Sequence, residues 1–155
     1  MTQTLTNKNS LSFMDHALIA AEQAALAGEV PVGAVVVLDN KIIATVKNRM
    51  RELNDATAHA EMLAIKAAME IVGTGRLTKC DLYVTLEPCT MCAGAIAHAR
   101  FRRVYFAAED QKAGAVENGV TFFDHPSCHH KPEIISGIGE EKSQKLLKDF
   151  FAVRR

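Results

Sequence analysis

The sequence predicts an α/β fold, a three-layer α/β/α sandwich around a mixed sheet of about five strands. Short runs rich in β-branched residues alternate with segments of helical periodicity, and those segments are long enough to serve as crossovers between parallel strands. The first two strand runs are separated only by Asp39-Asn40. That separation makes them a hairpin, so the sheet is mixed rather than wholly parallel.

In residues 12–27, Phe13, Ala17, Ala20, Ala21 and Ala24 recur at helical spacing, with Ser12 as N-cap and Gly28 as the stop. Residues 32–38 and 41–46 are the two hairpin strands. Thr57 is placed to cap a second helix over residues 58–72 that ends at Gly73, which puts His59 and Glu61 in its first turn. Residues 82–86 form a strand stopped by Glu87-Pro88, and the alanine-rich residues 89–99 form a third helix opened by a cysteine. Residues 103–108 read as a strand, 114–126 as mostly loop, and 133–136 as a weaker strand. In the tail, residues 140–155, Leu146, Leu147, Phe150 and Phe151 are spaced for one helical face that docks on the core.

The chain has 155 residues, 48% hydrophobic and 23% charged, the composition of one domain over 1–155, with the polar residues 1–10 expected to be flexible. A domain of this size buries enough surface to fold without a structural metal, so any metal is free to be catalytic. Lys plus Arg and Asp plus Glu both number 18, so no global field points to nucleic acid. The start lacks the apolar stretch of a signal peptide, and no run is long enough to span a bilayer, so a cytoplasmic protein with no membrane partner is expected. Of the four cysteines only Cys89 and Cys92 are close, and metal binding or catalysis explains such a pair better than a disulfide does.

A catalytic zinc ion takes three protein ligands and leaves a fourth position for water, and His59, Cys89 and Cys92 supply that number. The two cysteines are three apart, so at a helix start both sulfurs point the same way. With His59 opening another helix, two helix N-termini would converge on the site and place positive partial charge around the thiolates. Glu61 is the candidate proton shuttle. It lies about 200° around an ideal helix from His59, so both flank one site only if the first turn is end-on to it. A His-x-Glu alone is weak evidence, and a Cys-x-x-Cys at a strand-to-helix junction is also the arrangement of a redox dithiol.

Together, His59-Ala60-Glu61 and Pro88-Cys89-Thr90-Met91-Cys92 resemble the signature of the zinc nucleoside and nucleotide deaminases. Residues 29–34, Asn48, 57–61, 82–89 and 149–151 further resemble the bacterial tRNA adenosine deaminases, in order, and the likeness runs from about Phe13 to the C-terminus. Glu117-Asn118-Gly119-Val120 departs from the Gly-Ser form of many bacterial members. The resemblance implies a cytidine deaminase-like fold and one Zn²⁺ per subunit with a bound water or hydroxide. The implied reaction is hydrolytic deamination of adenosine to inosine at the wobble position, position 34, of a tRNA, an arginine tRNA being expected. The partners it implies are the tRNA anticodon stem-loop and a second copy in a homodimer. By the same likeness Asn48, Val30 and Ala60 meet the base, and Asp110, Lys112, Phe150, Phe151 and Arg154 face the RNA.

Two other readings compete: deamination of a free base or nucleoside such as guanine, cytosine or cytidine, and a non-catalytic zinc-stabilised RNA-binding subunit. Arg100, Arg102 and Arg103 around Phe101 form a basic patch that suits phosphates, another subunit or solvent equally. Cys128-His129-His130 lacks a further ligand at chelate spacing, which favours a structural or RNA-facing role over a second metal.

Overall fold

Helix α1 (Phe13–Leu26) begins where expected: Ser12 and Asp15 each accept the other's backbone N–H in a capping box. The computed structural model describes residues 11–154; the expectation for residues 1–10 lies outside them. Strands β1 (Gly33–Leu38) and β2 (Lys41–Lys47) pair antiparallel through Asp39 and Asn40, both at positive φ, as a two-residue hairpin turn requires. Helix α2 (Ala60–Val72) ends on Gly73 in the left-handed conformation. Then follow β3 (Cys80–Leu86), α3 (Thr90–Ala99), β4 (Arg103–Ala108), a short 3₁₀ turn at Phe122–Asp124, β5 (Glu133–Ser136) and α4 (Glu140–Val153).

The five strands lie in the order β2-β1-β3-β4-β5. Pairings β2/β1 and β1/β3 are antiparallel, whereas β3/β4 and β4/β5 are parallel, so the sheet is mixed. Alternate residues take opposite faces. Val35, Val37 and Tyr83 face Met14, Ala17 and Leu18 of α1, with Leu146 of α4 beside them. On the other face Val36, Leu82, Val84 and Phe106 meet Ala64 and Ala68 of α2 and Ala93 and Ile96 of α3. Alanine on both facing helices lets them sit close to the sheet.

Gly33 is required by that closeness, because a Cβ there would lie 2.1 Å from the Ala17 carbonyl oxygen. Thr85 locks the end of β3: its hydroxyl accepts the Gly33 N–H at 3.1 Å, and its carbonyl accepts the buried Ser143 hydroxyl from α4 at 2.5 Å. Among the described residues no helix is long and apolar enough to cross a membrane.

One cap differs from expectation. Thr57 does not open α2, because its N–H and its hydroxyl both donate to Asp55 Oδ1, at 2.8 and 2.7 Å. The N-cap is His59, in extended backbone at φ −67° and ψ 152°. The basic patch also disperses: Phe101 is fully buried, Arg102 forms two hydrogen bonds with Asp81, and Arg103 pairs with Glu133.

Candidate active site

His59 and Cys89 occupy the same structural position on neighbouring helices, each the N-cap residue without a side-chain capping hydrogen bond. Both side chains therefore project beyond the helix ends, and Cys92 joins them from the first turn of α3. The N-cap position also resolves the angular objection to His59 and Glu61, because His59 is not on the helical wheel. Its extended backbone aims the imidazole across the helix end, and Glu61 approaches the same point from within the first turn.

The His59 Nδ1 lies 3.5 Å from Cys92 Sγ and 3.7 Å from Cys89 Sγ, and the three donor atoms are all within 4.8 Å of one another. Nitrogen and sulfur ligands on tetrahedral corners around one zinc ion sit about 3.6 Å apart, given the usual bond lengths. The donor set thus fits zinc in chemistry and in spacing. Hydrogen bonds from Cys92 and His59 pull the Cys89 thiol down to about 4, while the same Cys89 contact and burial push the Cys92 thiol well up. The hydrogen bond to Cys89 raises His59. Such a cluster shares a proton where a divalent cation would replace it.

Glu61 is 4% exposed, and burial raises its carboxyl to about 7, more than its own backbone N–H and His59 lower it. It lines, together with His59 and Cys89, a cavity of about 220 Å³. Val30, Val32, Met50 and Leu86 form apolar walls, and Asn48, Glu87 and Asp110 add polar groups. Asn48 is held between two loops: Nδ2 donates to the Val30 carbonyl at 3.3 Å, and Oδ1 accepts the Met50 N–H at 3.4 Å. One N–H and one lone pair of that amide remain for a ligand. A second, wider cavity of about 820 Å³ shares Val30, Leu86, Asp110 and Ala113 with the first and continues past Lys112, Phe151 and Arg154.

The cytidine and deoxycytidylate deaminase zinc-binding region, as a family model, matches residues 7–108. A tRNA-specific adenosine deaminase of Agrobacterium fabrum is 55% identical over 143 residues, which cover 92% of this chain and 94% of that one. The chain belongs to the tRNA-specific adenosine deaminase family of zinc deaminases. A solved structure from a study of A-to-I editing by tRNA:A34 deaminases at the wobble position of transfer RNA matches this deaminase at 56% identity. Its TM-score is 0.86, over 87% of this chain and 98% of that chain. The guanine deaminase of Bacillus subtilis is more distant, 36% identical with a TM-score of 0.63, covering 92% and 91% of the two chains.

Of the residues singled out in the sequence, His59, Glu61, Cys89, Asn48, Val30, Ala60 and Asp110 line the first cavity, and Cys92, fully buried, completes the triad without lining it. Lys112, Phe151 and Arg154 line the second. Phe150 is in neither: it is turned inward at 8% exposure, and the Arg154 guanidinium stacks 3.6 Å above its ring. Cys128 and His130 are both engaged within the fold, the thiol donating to the His130 carbonyl and the His130 ring bonding the Phe101 carbonyl at 2.7 Å. Sequence reasoning missed Met50 and Ala113, which reach the cavity only through loop paths, and it gave Glu87 no role beyond the motif. The signal for Glu87 was there: a carboxylate closing an apolar strand needs partners.

Glu87 is 2% exposed. Burial alone would raise its carboxyl, but hydrogen bonds from Asp110, Asn118 and Val116 outweigh it and hold the group below the ordinary glutamate value.

Proposed function

We propose that this chain hydrolytically deaminates adenosine to inosine at the wobble position of a tRNA anticodon, with His59, Cys89 and Cys92 holding one zinc ion and Glu61 moving the protons. The observation that carries the reading is a single juxtaposition: one imidazole nitrogen and two thiol sulfurs at zinc-ligand spacing, with a carboxyl near neutrality in the same small, largely apolar cavity. When bound, zinc supplies a nucleophile by lowering the pKa of water. Glu61 accepts one proton from the attacking water and delivers it to the ring nitrogen, then takes the second from the hydroxyl now on C6 and passes it to the amine, so that the C–N bond breaks and ammonia leaves. A pKa near 7 suits both directions of transfer.

The apolar walls hold the base and exclude bulk water, while the free N–H and lone pair of Asn48 distinguish one base edge from another. Only one base fits beside the triad, and the adjoining cavity with Lys112, Phe151 and Arg154 receives the flanking nucleotides. Bases of an anticodon loop are poorly stacked, so turning one into the cavity costs less than extracting it from a duplex. The likeness in sequence further supports an arginine tRNA as substrate, action in the cytoplasm and a homodimer, in which the partly exposed Gly94 and Ala95 of α3 would allow close helix packing.

The 36% identity to a guanine deaminase favours a second reading, deamination of a free base. A substrate panel separates them: an anticodon stem-loop bearing wobble adenosine against free adenine, guanine and cytidine. Inosine in the RNA is the expected product. Ammonia from free guanine with no inosine in the RNA would overturn the tRNA reading.

A further inference from the structure

We infer that Glu87 is a positioning residue for the RNA substrate: its buried carboxylate sets the backbone path of residues 110–118 and thereby builds the wall shared by the two cavities. The inference rests on the tRNA reading above.

Glu87 follows β3, and both oxygens of its carboxylate accept hydrogen bonds from the loop that follows β4. Oε1 accepts the Asp110 N–H at 2.9 Å and the Asn118 side-chain amide at 2.7 Å. Oε2 accepts three successive backbone N–H groups, from Val116 at 3.0 Å, Glu117 at 2.9 Å and Asn118 at 3.0 Å. Among the described residues no cationic side chain pairs with it. All of its partners belong to one loop, so a single buried charge organises nine residues that have no helix or strand of their own.

The consequence reaches the substrate through Asp110. With its N–H held by Glu87, the Asp110 side chain accepts the N–H groups of Lys112 and Ala113, both at 3.0 Å. Asp110 and Ala113 line both cavities, and Lys112 lines the outer one. At the other end Ala115 donates to the Pro88 carbonyl at 2.9 Å, which ties the loop to the segment carrying Cys89. The space is full: a Cβ on Gly114 would lie 2.4 Å from the Asp110 carbonyl and 2.5 Å from the Glu87 carboxyl carbon.

An amide cannot replace this carboxylate. Glutamine has the same shape but one acceptor oxygen, and all five loop groups are donors. In Glu87→Gln the oxygen can keep the three N–H groups of residues 116–118, and the Asn118 amide can rotate to face the new NH₂. The Asp110 N–H has no such freedom. The substitution therefore releases the end of the loop that carries the cavity wall.

The test is steady-state inosine formation in an anticodon stem-loop by wild type and Glu87→Gln, with zinc content and thermal melting measured on the same preparations. A folded, zinc-loaded Glu87→Gln should show KM raised at least about tenfold and kcat changed less than about threefold, as expected for a lost interaction with a charged group that acts only on binding. Wild-type KM would overturn the inference. So would loss of zinc, or a fall in kcat at unchanged KM, since Glu87 would then serve the metal centre. If Glu87→Gln does not fold, Asn118→Ala removes one donor from the loop side. It should raise KM about threefold, and an unchanged KM there would equally overturn the inference. Failure of the wild type to make inosine would instead count against the tRNA reading.

Discussion

Glu61 and Glu87 are the same side chain, almost equally withdrawn from water, each two residues from a member of the triad, and their surroundings drive them in opposite directions. Glu61 meets apolar walls and a negative neighbour, so burial dominates and its carboxyl rises to about 7. Glu87 meets five N–H donors, which outweigh burial and keep it ionised. Burial alone does not set a carboxyl's protonation; the number of donors aimed at it decides whether it sits near neutrality, suited to moving protons, or stays ionised, suited to holding a loop.

Several substitutions would break or sharpen that contrast. The largest effect is expected for His59→Ala, which removes one of three ligands beside Glu61: zinc should fall from about one per chain to near zero, and deamination with it, by metal analysis and inosine assay. Next, Glu87→Ala leaves five buried donors facing a void and should cost at least about 3 kcal/mol in urea denaturation. A loss below about 1 kcal/mol would mean that water satisfies those donors as well as the carboxylate does. Gly114→Ala forces a methyl into the filled space beside Glu87 and should cost about 2 kcal/mol in the same measurement.

The smallest effect is expected far from the site. Ser12→Ala removes one partner of the α1 capping box and should cost about 1 kcal/mol without altering kcat or KM. Asp15, in that box, is a third case: the Ser12 backbone N–H lowers its carboxyl despite slight burial. Its folded value is depressed, so its contribution is complete above the unfolded value and is lost as pH falls through the folded one. Asp15→Asn should flatten that part of the acid stability profile.

Much of the fold was legible because local chemistry and tertiary packing agree. Asp39-Asn40 between two valine- and isoleucine-rich runs can hardly be anything but a hairpin, and Ser12, Gly73 and the strands at residues 103–108 and 133–136 are where periodicity places them. The start of α2 was misread because Asp55 competes for Thr57, a local interaction that propensity does not weigh. That error had a functional consequence, since only as the N-cap does His59 escape the helical wheel. The metal triad was legible from residue type and spacing, whereas the loop of residues 110–118 was not. Apart from the local turn at Asp110, its path follows one carboxylate more than twenty positions upstream. Phe150 and Phe151 show the same limit: adjacent aromatics on a helix point to different places, and only packing reveals which one faces in.

The most direct measurement of the central claim is zinc content and inosine formation on one preparation of Glu61→Gln beside wild type. Glu61→Gln should keep a full complement of zinc with turnover reduced at least about 10²-fold, the lower end for removal of a general acid–base group. Near-normal turnover with zinc bound would contradict it and take Glu61 out of the chemistry.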